Sequence, residues 1–193
     1  MTRNILAKTA LIAVLLLLAA SCAPAQNPVL TLRDEASGAT ADLYPSWDPE
    51  DRGLLAYFNE RFGYAVKVPH KVFTKVVLLP ENGDGMVLAS EDGKAQFRVS
   101  GGHVMDEGHL DSSFAEAKNA VGTKTISFEN REDDSWELCW WDGKTFHRRR
   151  MVANEEVWGE CEISYPASPE EGTEDPLDDV ADRAIRSLGL AKE

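Results

Sequence analysis

The chain has 193 residues, 43% of them hydrophobic and 27% charged, which is enough for one packed core and too little for a multidomain assembly. Its 20 basic and 33 acidic residues give a formal charge of −13. A surface of that sign repels phosphate backbones and anionic lipid headgroups alike, so nucleic acid is excluded as the expected partner. The hydrophobic content excludes wholesale disorder, and no internal repeat is visible.

Residues 1–22 read as a bacterial export signal. Arg3 and Lys8 form a basic start, and the unbroken apolar run from Ala10 to Ala20 is 11 residues long, where a spanning helix needs about 20. Two cleavage patterns compete. Leu18-Ala19-Ala20-Ser21-Cys22 resembles a lipobox, which would acylate Cys22 and make a lipid anchor the only membrane attachment, although Ala19 stands where most lipoboxes carry Leu. Ala23-Pro24-Ala25 before Gln26 fits the small-x-small rule of ordinary signal peptidase. The lipobox is the favoured pattern. Either way the product is expected on the periplasmic side of the cell envelope, and losing Arg3 and Lys8 makes it more acidic still.

Residues 23–56 are mostly small, polar or turn-forming, with Pro24, Pro28, Pro45 and Pro49, and read as a tether with room for one strand at Val29-Leu30-Thr31-Leu32. The domain proper is placed at 57–193. Tyr64-Ala65-Val66-Lys67-Val68 alternates with period two and stops at Pro69, as a half-buried strand does. Strands at 76–79 and 86–90 flank the loop 80–85, and Asp92-Gly93 turns the chain into a strand at 95–99. A helix follows, with Ser113 and Glu116 spaced as a capping box and Leu110, Phe114, Ala117 and Val121 on one stripe before Gly122. A three-strand meander is predicted over 136–141, 144–152 and 157–165. In the last helix Asp175 is the cap, Pro176 takes the first position, Leu177, Val180, Ala181, Ala184, Ile185 and Leu188 form the stripe, and Gly189 ends it. Hairpin-joined strands with helices laid on them predict an α+β fold, an antiparallel sheet with flanking helices.

Tyr57-Phe58-Asn59-Glu60-Arg61-Phe62-Gly63-Tyr64 running to Pro69, the loop 80–85, Ser90-Glu91-Asp92-Gly93, Trp136, Asp142-Gly143-Lys144-Thr145-Phe146, Trp158-Gly159, Ser164-Tyr165-Pro166 and the final helix resemble a group of bacterial exported proteins. Those in turn resemble the PsbP/Mog1-like α/β/α sandwich superfamily. The resemblance spans roughly residues 57–190 and rests on turns, strand ends and packing aromatics. It implies that fold and an accessory, partner-binding role, since the superfamily includes an extrinsic photosystem subunit and a small-GTPase binder. It carries no functional motif onto this chain.

The meander register bears on several tempting sites. With Asp142-Gly143 as a two-residue turn, Trp141 faces Lys144, Cys139 faces Phe146, Glu137 faces Arg148 and Trp136 faces Arg149. With a second turn at Asn154-Glu155, Arg149 meets Glu160, Arg148 meets Cys161 and His147 meets Glu162. Arg148-Arg149-Arg150 then reads as a paired strand rather than an anion site. Cys139 and Cys161 lie on strands separated by one strand, about 9–10 Å apart, beyond the roughly 4.4–6.8 Å Cα separation of a disulfide, so both are expected as buried free thiols. Trp136, Trp140 and Trp158 share one face as core residues, and Trp141 points the other way.

Little of the sequence carries chemistry. His103, Asp106, Glu107 and His109 lie together between a strand and the first helix, and His103, Asp106 and His109 are the candidate ligands for a divalent metal, although their spacing matches no zinc signature. The loop 81–85 lacks the alternating ligands and closing Glu of a calcium loop. Ser100-Gly101-Gly102-His103 puts a Ser near a His with no acid indicated, and G-x-S-x-G, H-E-x-x-H, P-loop and GxGxxG motifs are missing from the sequence. No cofactor is expected. Two functions of different classes remain: a non-catalytic accessory module that binds a protein partner in the envelope, which is favoured, and a metal-binding protein or enzyme centred on the His103 to His109 loop. The acidity suggests that the partner presents a basic face.

Overall fold

The computed structural model describes residues 27–166 and 176–191. These residues form twelve strands and two helices in the order β1 (Leu30–Arg33), β2 (Thr40–Pro45), β3 (Leu55–Asn59), β4 (Tyr64–Val68), β5 (Phe73–Leu78), β6 (Gly85–Ser90), β7 (Gln96–His103), α1 (His109–Val121), β8 (Thr125–Arg131), β9 (Ser135–Trp141), β10 (Thr145–Ala153), β11 (Val157–Pro166), α2 (Pro176–Arg186) and β12 (Gly189–Leu190). The strands make two antiparallel sheets, one of five in the order β1-β2-β3-β4-β12 and one of seven in the order β5-β6-β7-β11-β10-β9-β8.

Alternation along the strands decides how the sheets meet. Leu43, Tyr57, Tyr64, Val66 and Val68 project from one side of the five-stranded sheet and pack in a single buried core with Met86, Leu88, Phe97, Val99 and Ile163 of the seven-stranded sheet. This corrects the expected α+β fold: the molecule is a mostly β, two-sheet structure and not an α/β/α sandwich with flanking helices. The layer expected to be helical is supplied instead by a second sheet. That sheet draws β1, β2 and the start of β3 from 23–56, so the described part of the expected tether belongs to the fold. Residues 23–26, and with them the export signal and Cys22, lie outside the described residues.

The helices fill in around this sandwich. On the far face of the seven-stranded sheet, α1 lays Leu110, Phe114, Ala117 and Val121 over Trp136, Leu138, Trp140 and Met151, as the apolar stripe predicts. Its start differs from the sequence expectation, because Gly108 is the N-cap and makes no side-chain cap bond. Ser113 is one turn inside the helix, where its hydroxyl donates to the Leu110 carbonyl at 2.9 Å and accepts from Trp136 Nε1 at 2.9 Å. The stripe of α2, Ala181, Ala184 and Ile185, enters the sheet-to-sheet core with Leu188. Its expected cap, Asp175, lies outside the described residues, and Gly189 opens β12 instead of merely ending the helix.

Close approach of the sheets depends on two glycines. Gly101 and Gly159 are partners across β7 and β11, and the Tyr64 ring lies on them. A Cβ added at Gly101 would come 2.4 Å from Tyr64 Cε1, and one at Gly159 would come 3.0 Å from Tyr64 Cβ. The buried Tyr64 hydroxyl donates to the Asp84 carbonyl at 2.8 Å and accepts from Asn59 Nδ2 at 3.3 Å.

The meander exists as a four-strand unit, with β8 added at its edge, and its register differs from expectation by two residues at both turns. Phe146 pairs with Trp141 and Arg148 with Cys139, while Arg149 pairs with Glu162 and Arg150 with Cys161. The first turn is Gly143-Lys144, because Gly143 takes the left-handed conformation (φ 96°) and Asp142 Oδ1 accepts from the Lys144 and Thr145 N–H groups. A shift of two keeps every side chain on its face. The expected ion pairs therefore survive as diagonal neighbours, Glu137 to Arg148 at 3.6 Å and Arg149 to Glu160 at 2.8 Å. Trp136 and Trp140 are buried, Trp158 is half-buried, and Trp141 on the opposite face is 46% exposed.

Cys139 and Cys161 are free and buried. Burial pushes the Cys139 thiol up to about 11 and the Cys161 thiol well above its ordinary value, which suppresses the reactive thiolate. Peptide mapping after a brief thiol-alkylation pulse is expected to find both unlabelled in native protein and both labelled after denaturation. Gly101→Ala is expected to cost about 2–3 kcal/mol by overpacking against Tyr64. Gly189→Ala, whose Cβ meets nothing within 4 Å, is expected to stay within about 0.5 kcal/mol of the parent in chemical denaturation.

Candidate binding cleft

The structure does not bring the candidate metal ligands together. His103 lies on the face of β7 shared by Phe97 and Val99, its ring 5.2 Å from that of Phe62. His109 begins α1 and packs on Trp158, 5.9 Å between rings, on the other face of the seven-stranded sheet. Asp106 is exposed in the loop between them. Among the described residues no three His, Cys, Asp or Glu side chains converge closely enough to hold a metal ion.

Arg148-Arg149-Arg150 is a paired strand, as expected. Arg148 and Arg150 share the inner face and hold the buried Glu137 between them, at 3.6 and 3.7 Å. Arg148 also reaches Asp182 of α2 at 2.6 Å, so a strand charge anchors the helix. On the outer face Arg149 pairs with Glu160, and the His147 ring stacks on Trp140 with 4.7 Å between centroids. Each His147 ring nitrogen lies 3.3 Å from a carboxylate, Nδ1 from Glu162 and Nε2 from Asp142. Burial alone would lower the His147 pKa, but its two carboxylate partners outweigh burial and raise it. Burial would raise that of Glu162, and the His147 hydrogen bond with the charges of Arg149 and His147 brings it below its ordinary value.

Two concavities border β12. The first is a cleft of about 1350 Å³ lined by the loop 104–111, the β8–β9 and β10–β11 turns, and residues 188–191. It exists because the seven-stranded sheet runs on through β10, β9 and β8 where the five-stranded sheet stops at β12. Beyond that stop, Phe128 and Trp141 stay on an uncovered inner face, 43% and 46% exposed. Asp106, Glu107, Asp133, Asp134 and Glu155 line the cleft as exposed carboxylates, and none forms an ion pair among the described residues. Its two guanidinium groups are engaged, Arg131 with Asp111 at 2.7 Å and Arg150 with Glu137.

The second concavity, of about 650 Å³, is a nearly apolar groove on the outer face of the five-stranded sheet. Small residues, Gly63, Ala65 and Gly189, leave its floor open, and Trp47 and Phe58 wall it, 6.0 Å between rings. Trp47 is held by Lys67, whose ammonium lies 5.0 Å from the ring centroid and pairs with Asp51. Asp51 also meets Arg183 of α2 at 3.6 Å. Burial would raise the Asp51 pKa, but the Lys67 hydrogen bond and charge lower it. The sequence reading missed this groove because Trp47 fell in the expected tether and no strand was expected at residues 55–59, so Phe58 was assigned to no face. The one available signal was Phe58 opposite in phase to Tyr57 on an alternating strand.

Glu137→Ala removes the carboxylate partner of the largely buried Arg150 guanidinium, leaves Arg148 with Asp182 alone, and is expected to cost about 3 kcal/mol in denaturant unfolding. The stabilisation from His147 is fully present below its unfolded pKa of about 6.5 and is lost as pH rises through the raised folded value. That from Glu162 is present above its ordinary carboxylate range and lost as pH falls below it. The Tm gap between the parent and His147→Gln is therefore expected to be widest near pH 5–6 and to close above neutrality.

No protein-family model matches the chain, and no curated protein matches it.

Proposed function

We propose that this chain is an exported envelope protein that works by holding a protein partner rather than by catalysis, anchored to the membrane through an acylated Cys22. The observation that carries the reading is the overhang of one sheet beyond the other, which leaves a large cleft beside a strand edge that is unpaired among the described residues. Concave, partly apolar surface with unneutralised charge at its rim suits macromolecular docking. The groups that would otherwise suggest chemistry have structural neighbours. The thiols are buried, His147 lies between two carboxylates, and His103 and His109 rest on separate aromatic rings. Among the described residues no helix is long and apolar enough to cross a membrane, which is compatible with attachment through a lipid alone.

Crosslinking a tagged full chain in its native host, followed by mass spectrometry of the envelope fraction, is expected to recover one dominant protein. Its yield should fall as salt is raised before crosslinking in isolated envelopes. Recovery of no protein under any condition would overturn the reading. Cys22→Ser is expected to lose incorporated palmitate and to move from the membrane pellet to the soluble periplasmic fraction.

A further inference from the structure

We infer that the unpaired side of β12 is a docking edge for an extended, lysine- or arginine-rich segment of a partner protein, which adds a strand to the five-stranded sheet. The inference rests on the partner-binding reading above and names the chemistry of that partner.

Backbone geometry supplies the edge. Gly189 pairs with Ala65, and the Ala191 N–H donates to the Gly63 carbonyl at 2.6 Å. In an antiparallel ladder the residue between two such positions turns its N–H and C=O the other way. Leu190 therefore directs both groups away from β4, toward the side where β12 has no strand neighbour among the described residues. The space beyond is the cleft, over the ledge formed by β10, β9 and β8. An added strand would continue the smaller sheet across a sandwich whose larger sheet already extends that far.

Charge selects the occupant. Five exposed carboxylates, Asp106, Glu107, Asp133, Asp134 and Glu155, line the cleft without ion-pair partners among the described residues, while Arg131 and Arg150 are already engaged. The complement is a cationic segment. Residues 167–175 of the chain itself carry Glu170, Glu171, Glu174 and Asp175 and no basic residue, so they offer no complement, and a second copy brings a further formal −13. Side chains alternate along a strand. One set on the added segment would face the ledge, and the other would emerge beside Gly189 at the apolar groove of Trp47 and Phe58. The preferred segment therefore combines basic residues with an apolar anchor. Since β12 offers few backbone groups, the edge sets register while charge supplies much of the attraction, and binding is salt-sensitive.

The test uses purified mature protein and a capped octapeptide of alternating lysine and valine, read by calorimetry and by amide exchange at residues 189–191. The expected result is saturable one-to-one binding that slows exchange at Leu190. The same peptide N-methylated at alternate residues should bind about tenfold more weakly, the worth of one to two backbone hydrogen bonds. An Asp133→Asn/Asp134→Asn double variant should bind more weakly with its thermal unfolding unchanged. Equal binding of the N-methylated peptide would reduce the effect to charge alone and overturn the inference, as would unchanged exchange at Leu190 or self-association through this edge in sedimentation. If crosslinking still recovers a partner linked at a different surface, only this inference falls; if it recovers none, the partner-binding reading falls with it.

Discussion

The contact on which the two-sheet arrangement depends is that of Tyr64 with the paired Gly101 and Gly159. A ring can lie flat on a neighbouring sheet only where that sheet lacks side chains, and here two cross-strand glycines clear the space. Its hydroxyl then reaches across to the Asp84 carbonyl in the β5–β6 hairpin loop, so one residue fixes both the spacing of the sheets and the position of a loop. β12 pairs with β4 at Tyr64 and Ala65. The location of the sheet edge, and of the cleft beside it, thus follows from where this tyrosine sits. On the opposite face Trp158 lies over Gly102, 2.9 Å from where a Cβ would be, so the short Gly101-Gly102 run is covered by an aromatic ring on each side.

Charge does a second, separable task. Ion pairs on an open surface contribute little, but those here tie elements together at places shielded from water. Glu137, Arg148, Arg150 and Asp182 join β9, β10 and α2. Lys67, Asp51 and Arg183 join β4, the β2–β3 loop and α2. The helix therefore meets both sheets through apolar contacts on one stripe and through arginine and aspartate on its flanks. With so many basic residues used internally, the exposed acidic residues around the cleft keep an uncompensated negative charge.

Local patterns were legible in the sequence to a large extent. β4, β6, the stripe of α1, the first position of α2 and the faces of β9, β10 and β11 all follow from alternation, periodicity and turn residues. The ion pairs of the meander were legible too, although for an incomplete reason: the turns were misplaced by one residue each, and parity preserved the neighbours. The segment before residue 57 was not legible. Its prolines and small polar residues look like a linker, and short strands such as the edge strand β1 and its neighbour β2 carry too few apolar residues to announce themselves. The candidate metal loop failed for the opposite reason. Proximity in sequence suggested a cluster, but the chain crosses from one face of a sheet to the other between His103 and His109.

By itself the sequence determined the acidic composition, the positions of most strands and which side of each strand is apolar, because these depend on composition and on neighbours within a few residues. Only the tertiary structure decided that a second sheet, not a layer of helices, covers the first. It also decided that the sheets differ in width and that Trp47, Phe58, Phe128 and Trp141 remain at the surface. Those outcomes depend on which residues distant in the chain pair with one another. A strand's apolar face has no local signature of whether a helix, another strand or solvent will lie against it.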